Sequence, residues 1–289
     1  MRKVIYRVAL TVFILLFAVS GFFIGKYIYN SKKAESVYND FSSALLERIA
    51  VYETEQINRQ LAPTANNSRD INAAANANTQ GETTETAAAS ISADPRLLAY
   101  RDMNKIYPDL IGSINIPGTV VNYPVMYTPD DPEYYLDHDI EKGRSNHGTP
   151  FLDYKCDPGQ PSDNMILYGH HMKDGSMFAC LDQYKDKAFY EAHSIIEFDT
   201  LYDIGYYEVV AAFVSHIGSN GKYAFEYFLY TDFNDQIRFE EYMSLVRQYR
   251  LHDAGAEAVY GDKLLSLSTC DYTGANSRMV LLARKIQAP

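Results

Sequence analysis

The chain has no tryptophan and only three cysteines among its 289 residues. No pair among Cys156, Cys180 and Cys270 has CxxC spacing. This scarcity argues against a disulfide-rich scaffold and against a zinc or redox motif of the CxxC type. A bridge between Cys156 and Cys180 stays open, although Cys180, within MFACL, fits a small buried hydrophobe.

Positive charge is also scarce: the chain has 26 Lys and Arg but 37 Asp and Glu, so its net charge is −11. Nucleic-acid binding needs clustered Lys and Arg, so this class of partner is not expected. Apolar residues make up 47% of the chain, which is ample for a buried core. The length allows one large domain or two ordinary ones.

The N-terminus carries the one long apolar run. Residues 8–25 form 18 positions without a charge, nearly enough for a helix to span a hydrocarbon core of about 30 Å. A cleaved signal peptide is the alternative, with Ala18-Val19-Ser20 as a small-residue cleavage site. Because Phe22-Phe23-Ile24 continues the run, we predict an uncleaved signal anchor over 8–29. The basic residues of the tail at 1–7 place that tail in the cytoplasm and the rest of the chain outside the cell.

Three segments follow the predicted anchor. Residues 30–61 show helical spacing of apolar positions, which suits a stalk, a self-association helix or a helix lying on the folded body. Residues 62–93 consist mainly of Ala, Asn, Thr, Ser and Glu, a composition that cannot offset its ordering entropy and predicts a flexible linker. Residues 94–289 form the predicted folded domain, which Asp94-Pro95 opens with a helix start signal.

Short strand-like pieces dominate this domain, and turn residues between them predict a mainly β barrel or sandwich with a few helices. A helix over 235–251 and a shorter one over 177–184 interrupt the series. The predicted strands are Ile111–Ile116, Val120–Val125, Met165–Tyr168, Ile195–Phe198, Tyr206–Val214, Leu264–Cys270 and Met279–Lys285.

The stretch LLSLSTCDYTGANSRMVLLAR, at 264–284, predicts a hairpin of two strands around a turn at 271–277. Alternation puts Ser268 and Cys270 on the polar face, where the thiol at the strand end can be reached. If Cys270 and Arg278 pair across the hairpin, both side chains project from one face. A thiol beside a guanidinium suggests nucleophilic chemistry, although a lone strand cysteine usually serves packing.

A cysteine nucleophile needs an imidazole partner. Seven histidines are available, and LYGHHM presents His170 and His171 at the end of an apolar strand, where functional side chains are often displayed. Adjacent histidines point in different directions and no HxH or HxxxH completes the set, so no metal site is expected. The residues alone do not choose between His170 and His171.

Several motifs in order resemble the sortases, the cysteine transpeptidases of Gram-positive cell surfaces. SLSTC at 266–270 resembles the TLxTC signature, with Ser in place of the usual first Thr. ILYGHHMKDGSMF at 166–178 resembles the catalytic-histidine segment, particularly that of class B. IGSINIPGTVVNYPVM at 111–126, YYLDHD and GTPFLDYKC resemble further class B blocks, and the helix at 235–251 resembles the extra helix of that class.

This resemblance implies an eight-stranded sortase β-barrel over residues 94–289, with the site in a groove at its edge. Position by position, it makes Cys270 the nucleophile, His170 the acid/base and Arg278 the group that orients substrate and stabilises the oxyanion. Asp271 stands where class B members often have an acid and is a groove candidate or an exposed loop acid. Ser268 and Asp137 are the further groove candidates, and no cofactor is implied.

The implied reaction is cleavage of a C-terminal sorting signal after Thr through a thioester, followed by transfer to an amine of cell-wall peptidoglycan. Signals of the NPxTN or PPxTG kind suit class B, and a pilin lysine is an alternative amine. Two other functions stay open. One is a cysteine peptidase that releases its product to water, and the other is a silent surface-binding module in which Cys270 is buried and inert.

Overall fold

The computed structural model describes residues 2–61, 94–218, 222–253, 255–271 and 277–289. The linker predicted over 62–93 and the turn at 272–276 lie outside the described residues. The chain starts with a long helix, and from residue 94 it forms a β-rich body.

Eight strands form a closed barrel in the order β1-β2-β3-β4-β7-β8-β6-β5, so the eight-stranded barrel implied by the resemblance is confirmed. Antiparallel pairing of β1 with β5 closes the sheet, which decides between barrel and sandwich. The strands are Leu110–Asn115 (β1), Asn122–Met126 (β2), Phe151–Leu152 (β3), Asn164–Tyr168 (β4), Ile195–Thr200 (β5), Tyr206–Ser215 (β6), Leu264–Asp271 (β7) and Ser277–Ile286 (β8).

The helices follow their capping signals. Asp94 accepts a hydrogen bond from the backbone N–H of Arg96 and opens α2 (Pro95–Ile106). Asp186 caps a short helix that the sequence did not predict, α3 (Lys187–Ala192). Asp235 caps α4 (Gln236–Tyr249), which buries its aromatic and apolar face as predicted. The helix predicted over 177–184 is instead a 3-10 helix, Phe178–Lys185.

The N-terminal part is one continuous helix, α1 (Arg2–Leu61). Its apolar half is exposed, with Phe17 at 73%. By length and composition alone this half could cross a membrane, and a signal sequence near the N-terminus would have the same length and composition. Its second half buries Ala34, Tyr38, Phe41 and Leu45 against the body. Of the three arrangements open from sequence, residues 30–61 therefore adopt the helix that lies on the folded body.

The strand β7 departs from its expected alternation of buried and reachable faces. Leu265 and Leu267 are fully buried, but Ser266 and Ser268 are also buried. The hydroxyl of Ser266 donates to the side-chain oxygen of Asn164 at 2.9 Å. The polar side chains of β7 are therefore mostly buried and hydrogen-bonded, and among the residues of β7 whose side chains the structure describes only Cys270 is partly exposed.

Cys156 and Cys180 are free and buried, so the bridge left open from sequence is not formed. Burial raises the pKa of the Cys156 thiol to about 12 and that of Cys180 to about 11. Both therefore stay protonated and unreactive at neutral pH, because the thiolate is the nucleophile.

Candidate active site

Cys270 stands near the end of β7, and the register places it directly opposite Arg278 of β8. Facing residues of an antiparallel pair project from the same side with Cβ atoms about 5 Å apart. Both side chains are partly exposed and line the same groove. The thiol and the guanidinium that the hairpin predicted to be neighbours are thus brought together.

A buried contact between two hydroxyl groups supports strand β7 next to Cys270. The side-chain oxygens of Ser268 and Tyr227 lie 2.7 Å apart, and both residues are buried. Burial raises the pKa of Tyr227 despite the opposing effects of the Ser268 hydrogen bond and the nearby positive charge of Arg278. Tyr227 therefore stays neutral and supports the strand two residues before the nucleophile.

His170 enters the groove from β4, which pairs in parallel with β7. The strand β4 ends at Tyr168, the N–H of Gly169 donates to the carbonyl of Ser268 at 3.1 Å, and His170 follows. The Nε2 atom of His170 lies 2.6 Å from the carbonyl oxygen of Leu136. Since a carbonyl oxygen only accepts, Nε2 carries a proton, and Nδ1 is left as the ring nitrogen that can take up or give a proton.

Gly169 is the position at which a side chain would disturb this arrangement. A Cβ there would lie 2.7 Å from Cδ2 of Phe178, whose ring is fully buried. Gly169→Ala should therefore displace His170 and lower kcat/KM about 10- to 100-fold, because small misplacements of a reacting group are costly. Steady-state cleavage of a sorting-signal peptide, the substrate that the resemblance to sortases implies, measures it. Gly159→Ala is the matched control, since its Cβ would meet only ordinary contacts, and equal activity of both variants would contradict the prediction.

His171 has a different role from its neighbour. Its Nδ1 lies 2.9 Å from the backbone carbonyl of Cys270 and 3.7 Å from a carboxylate oxygen of Asp182. It lies outside the described lining of the groove, which includes His170. The geometry thus gives His171 the task of holding the backbone of Cys270, and leaves His170 as the imidazole that lines the groove with Cys270.

The groove has a volume of about 470 Å³. Its floor includes the buried Asp153, whose carboxylate accepts hydrogen bonds from the Tyr168 hydroxyl at 2.8 Å and the Lys155 backbone N–H at 2.9 Å. Burial, Tyr227 and Asp153 raise the pKa of Tyr168, which stays a donor. The described lining consists of Pro132, Glu133, Leu136, Phe151, Asp153, Tyr154, Lys155, Tyr168, Gly169, His170, Ser268, Thr269, Cys270 and Arg278.

The three further groove candidates have different positions. Ser268 belongs to the lining, although its hydroxyl is turned to Tyr227. Asp137 does not belong to the described lining; its carboxylate forms an ion pair with Arg144 and lies 2.7 Å from Nδ1 of His138. The side chain of Asp271 lies outside what the structure describes. Among the described residues, no group of three His, Cys, Asp or Glu side chains could hold a metal ion.

Sequence reasoning missed several groups of the groove. The carbonyl of Leu136 orients His170, yet a backbone carbonyl has no sequence signature. Asp153 and Lys155 lie within GTPFLDYKC, a block whose resemblance to class B pointed to this region without naming them. Tyr227 is 41 residues from its partner Ser268, so only the folded chain brings the two together.

Comparison with known proteins identifies the family of the chain. A family model described as the sortase domain matches residues 114–286. Sortase B of Staphylococcus aureus (strain NCTC 8325 / PS 47) is 30% identical over 190 residues, which cover 65% of this chain and 75% of that protein.

Solved structures show the same similarity. The Staphylococcus aureus sortase B–substrate complex matches with a TM-score of 0.60 and 29% identity, covering 66% of this chain and 86% of that one. A sortase B complexed with triglycine matches with a TM-score of 0.60 and 28% identity, covering 66% and 87%. With the closed eight-stranded barrel and the groove that joins Cys270, His170 and Arg278, these matches show that the chain belongs to the sortase family, as a member of class B.

Proposed function

We propose that this class B sortase, a cysteine transpeptidase that anchors surface proteins, cleaves a C-terminal sorting signal after Thr and transfers the protein to a peptidoglycan amine. The observation that carries the proposal is the single groove lined by Cys270, His170 and Arg278. Its partly exposed thiol also disfavours the silent binding module, which required a buried cysteine.

The first step is acylation of Cys270. The sulfur forms a bond to the Thr carbonyl carbon, and Arg278, across the hairpin, donates to the oxyanion that develops. Nδ1 of His170 holds the proton from the thiol and passes it to the departing amine as the C–N bond breaks. The product of this step is a thioester on Cys270 and a released C-terminal peptide.

The second step is attack by an amine on the thioester. Nδ1 of His170 takes the proton of the incoming amine, the C–S bond breaks and an amide forms, which returns the thiol. The substrate complex and the triglycine complex of the related sortases B support a peptide substrate and an amine acceptor. The amine that we propose is that of a peptidoglycan precursor.

Signals of the NPxTN or PPxTG kind are the proposed substrates, because the matched motifs and relatives are of class B. The test is a cleavage assay of the full chain in detergent against a small peptide panel, with and without an added amine. An amide product that appears only with the amine supports transpeptidation. Hydrolysed product at the same rate with and without amine would instead establish a peptidase, and an amide formed only with a pilin lysine would establish polymerisation.

Arg278→Lys tests the oxyanion role. Lysine keeps the charge but loses the planar fork of donors, so the rate constant of acylation should fall about 10²-fold or more with the fold intact. Single-turnover acylation kinetics measure it. The exposed Arg101→Lys is the control, and a near-normal acylation rate in Arg278→Lys would reduce Arg278 to a structural residue.

We further propose that α1 is an uncleaved signal anchor with its N-terminus in the cytoplasm and the barrel outside the cell. Its exposed apolar half and the basic residues of the tail support this orientation. Sorting signals and peptidoglycan precursors would then meet the enzyme on the outer side of the membrane.

A further inference from the structure

We infer that the edge of the barrel formed by two loops, 137–148 and 170–177, lies against the lipid headgroup layer, so that the catalytic groove opens at the bilayer surface. The inference rests on the proposed insertion of α1 into a membrane. It adds an interaction surface, and its partner is the bilayer itself.

The first observation is the continuity of α1. The helix runs unbroken from Arg2 to Leu61, and residues 26–61 include no proline and no glycine. Sharp helix kinks need such residues or an inserted group. From residue 26 onward, the last turn of the predicted span and the half that packs on the body therefore form one continuous helix, so the body cannot swing freely on a hinge between them.

The second observation is where the membrane-proximal turns of the packed half make contact. The Ser31 hydroxyl donates to the carboxylate of Asp174, in the loop at 170–177, at 2.7 Å. The Tyr38 hydroxyl donates to the carbonyl of Gly148, and Lys33 lies 3.9 Å from Asp139 in the other loop. Both loops of the edge are thus tied to residues 31–38.

Asp174 is held firmly as the acceptor in this contact. Its carboxylate also lies 3.1 Å from Nε2 of the buried His147 and accepts a hydrogen bond from the Ser176 hydroxyl at 2.6 Å. Burial opposes the charge, but the hydrogen bonds from Ser176, Ser31 and His147 outweigh it and hold the pKa of Asp174 well below its usual range. The Asp174 carboxylate therefore stays ionised at neutral pH and continues to accept the hydrogen bond from Ser31.

The third observation is the opposite end of the packed half. There the Tyr52 hydroxyl donates to Asp102 of α2. At about 1.5 Å per residue, Ser31 lies about 3 Å beyond Tyr29, the end of the predicted span, whereas Tyr52 lies about 35 Å beyond it. The loops at 137–148 and 170–177 are consequently near the bilayer, and α2 is far from it.

The edge that faces the bilayer includes the groove wall. His170 begins the loop at 170–177, whose ends are closed by the Phe178 N–H donating to the His170 carbonyl at 2.8 Å. Leu136, whose carbonyl orients His170, immediately precedes the loop at 137–148. A substrate held in the membrane by a lipid or a helix would therefore meet the catalytic histidine within a short distance of the headgroups.

Depth-dependent quenching of a fluorophore on the full chain tests this orientation. In a Cys270→Ala background, Lys173→Cys and Arg101→Cys place a label on an exposed site of the proximal loop and of α2, respectively. The chains are reconstituted in phosphatidylglycerol and phosphatidylethanolamine vesicles with nitroxide-headgroup lipid in both leaflets. We expect the label at 173 to be quenched several-fold more than the label at 101. Equal quenching, or the reverse order, would overturn the inference.

A third label separates this inference from the membrane anchor on which it rests. Phe17→Cys should be quenched by lipids with the nitroxide on the acyl chain. A label at 17 that escapes quenching would overturn the anchor, and the orientation with it, whereas a buried label at 17 with equal quenching at 101 and 173 overturns the orientation alone.

A kinked helix provides the matched variant. Asn30→Pro removes one backbone donor and clashes with the preceding turn, between the span and the first docking contact. In the labelled Cys270→Ala chains the quenching ratio of 173 to 101 should fall towards one. In an unlabelled chain that keeps Cys270, Asn30→Pro should leave cleavage of a soluble peptide in detergent unchanged. An unaltered ratio would show that the rigid helix does not set the orientation.

Discussion

Cys270→Ala should abolish both the thioester intermediate and transpeptidation, with the barrel still folded. The substitution removes the only proposed nucleophile, and the residue is partly exposed at the end of β7, so its loss leaves no large cavity. Mass spectrometry of the enzyme mixed with a sorting-signal peptide detects the acyl adduct. Circular dichroism with thermal unfolding shows whether the barrel is folded.

Cys180→Ala is the matched control for this result. Its thiol is buried in the core, and burial raises its pKa to about 11, so it offers no thiolate near neutral pH. We expect it to form the adduct normally, with some loss of stability. An adduct that persisted in Cys270→Ala would contradict the assignment and direct the search to another nucleophile.

His170→Ala should lower kcat/KM by about 10²- to 10⁴-fold, the range expected when a general acid/base is lost. The reason is geometric. His170 lines the groove with Cys270, and its Nε2–H is held by the Leu136 carbonyl so that Nδ1 is free for proton transfer. The pH profile of kcat/KM should also lose the limb that belongs to the imidazole.

Two other histidine variants make this test specific. His252 lies away from the groove with its Nε2 3.0 Å from the Tyr184 carbonyl, so His252→Gln should retain activity. His171→Ala removes a contact to the Cys270 backbone and should slow the reaction while keeping the pH profile. If the profile instead changed in His171→Ala and persisted in His170→Ala, the roles of the two histidines would be exchanged.

The packing of α1 also bears on how such variants are measured. Ala34, Tyr38, Phe41 and Leu45 are buried on the barrel and on α2, so a chain that begins at residue 94 would expose the surface they cover. This is why the full chain is the appropriate material for each assay. The predicted domain boundary at 94 separates the linker from the barrel in sequence, but the folded body includes part of α1.

Local patterns in the sequence determined a large share of this protein. The uncharged apolar run at 8–25, extended to residue 29, predicts a spanning helix, and alternation with turn residues predicts most of the strands. The turn residues at 271–277 predicted the hairpin and left the pairing of Cys270 with Arg278 as a possibility, which the register of the two strands confirms. The two-residue strand β3 was not predicted, because a strand this short has no measurable alternation of polar and apolar residues.

The tertiary structure decided what depends on distant residues. Parallel pairing of β4 with β7 brings His170 to a cysteine 100 positions away, and the adjacent His171 turns to the Cys270 carbonyl. The carbonyl of Leu136 orients the imidazole, whereas Asp137, one residue later, is engaged by Arg144 outside the described lining of the groove. Periodicity reports which face of an element is apolar, but not what will cover it, because that depends on the packing of the whole chain. For the same reason only the fold could show that residues 30–61 lie on the barrel. It also shows that the loop at 170–177, which begins with His170, contacts Ser31, close to the end of the predicted membrane span.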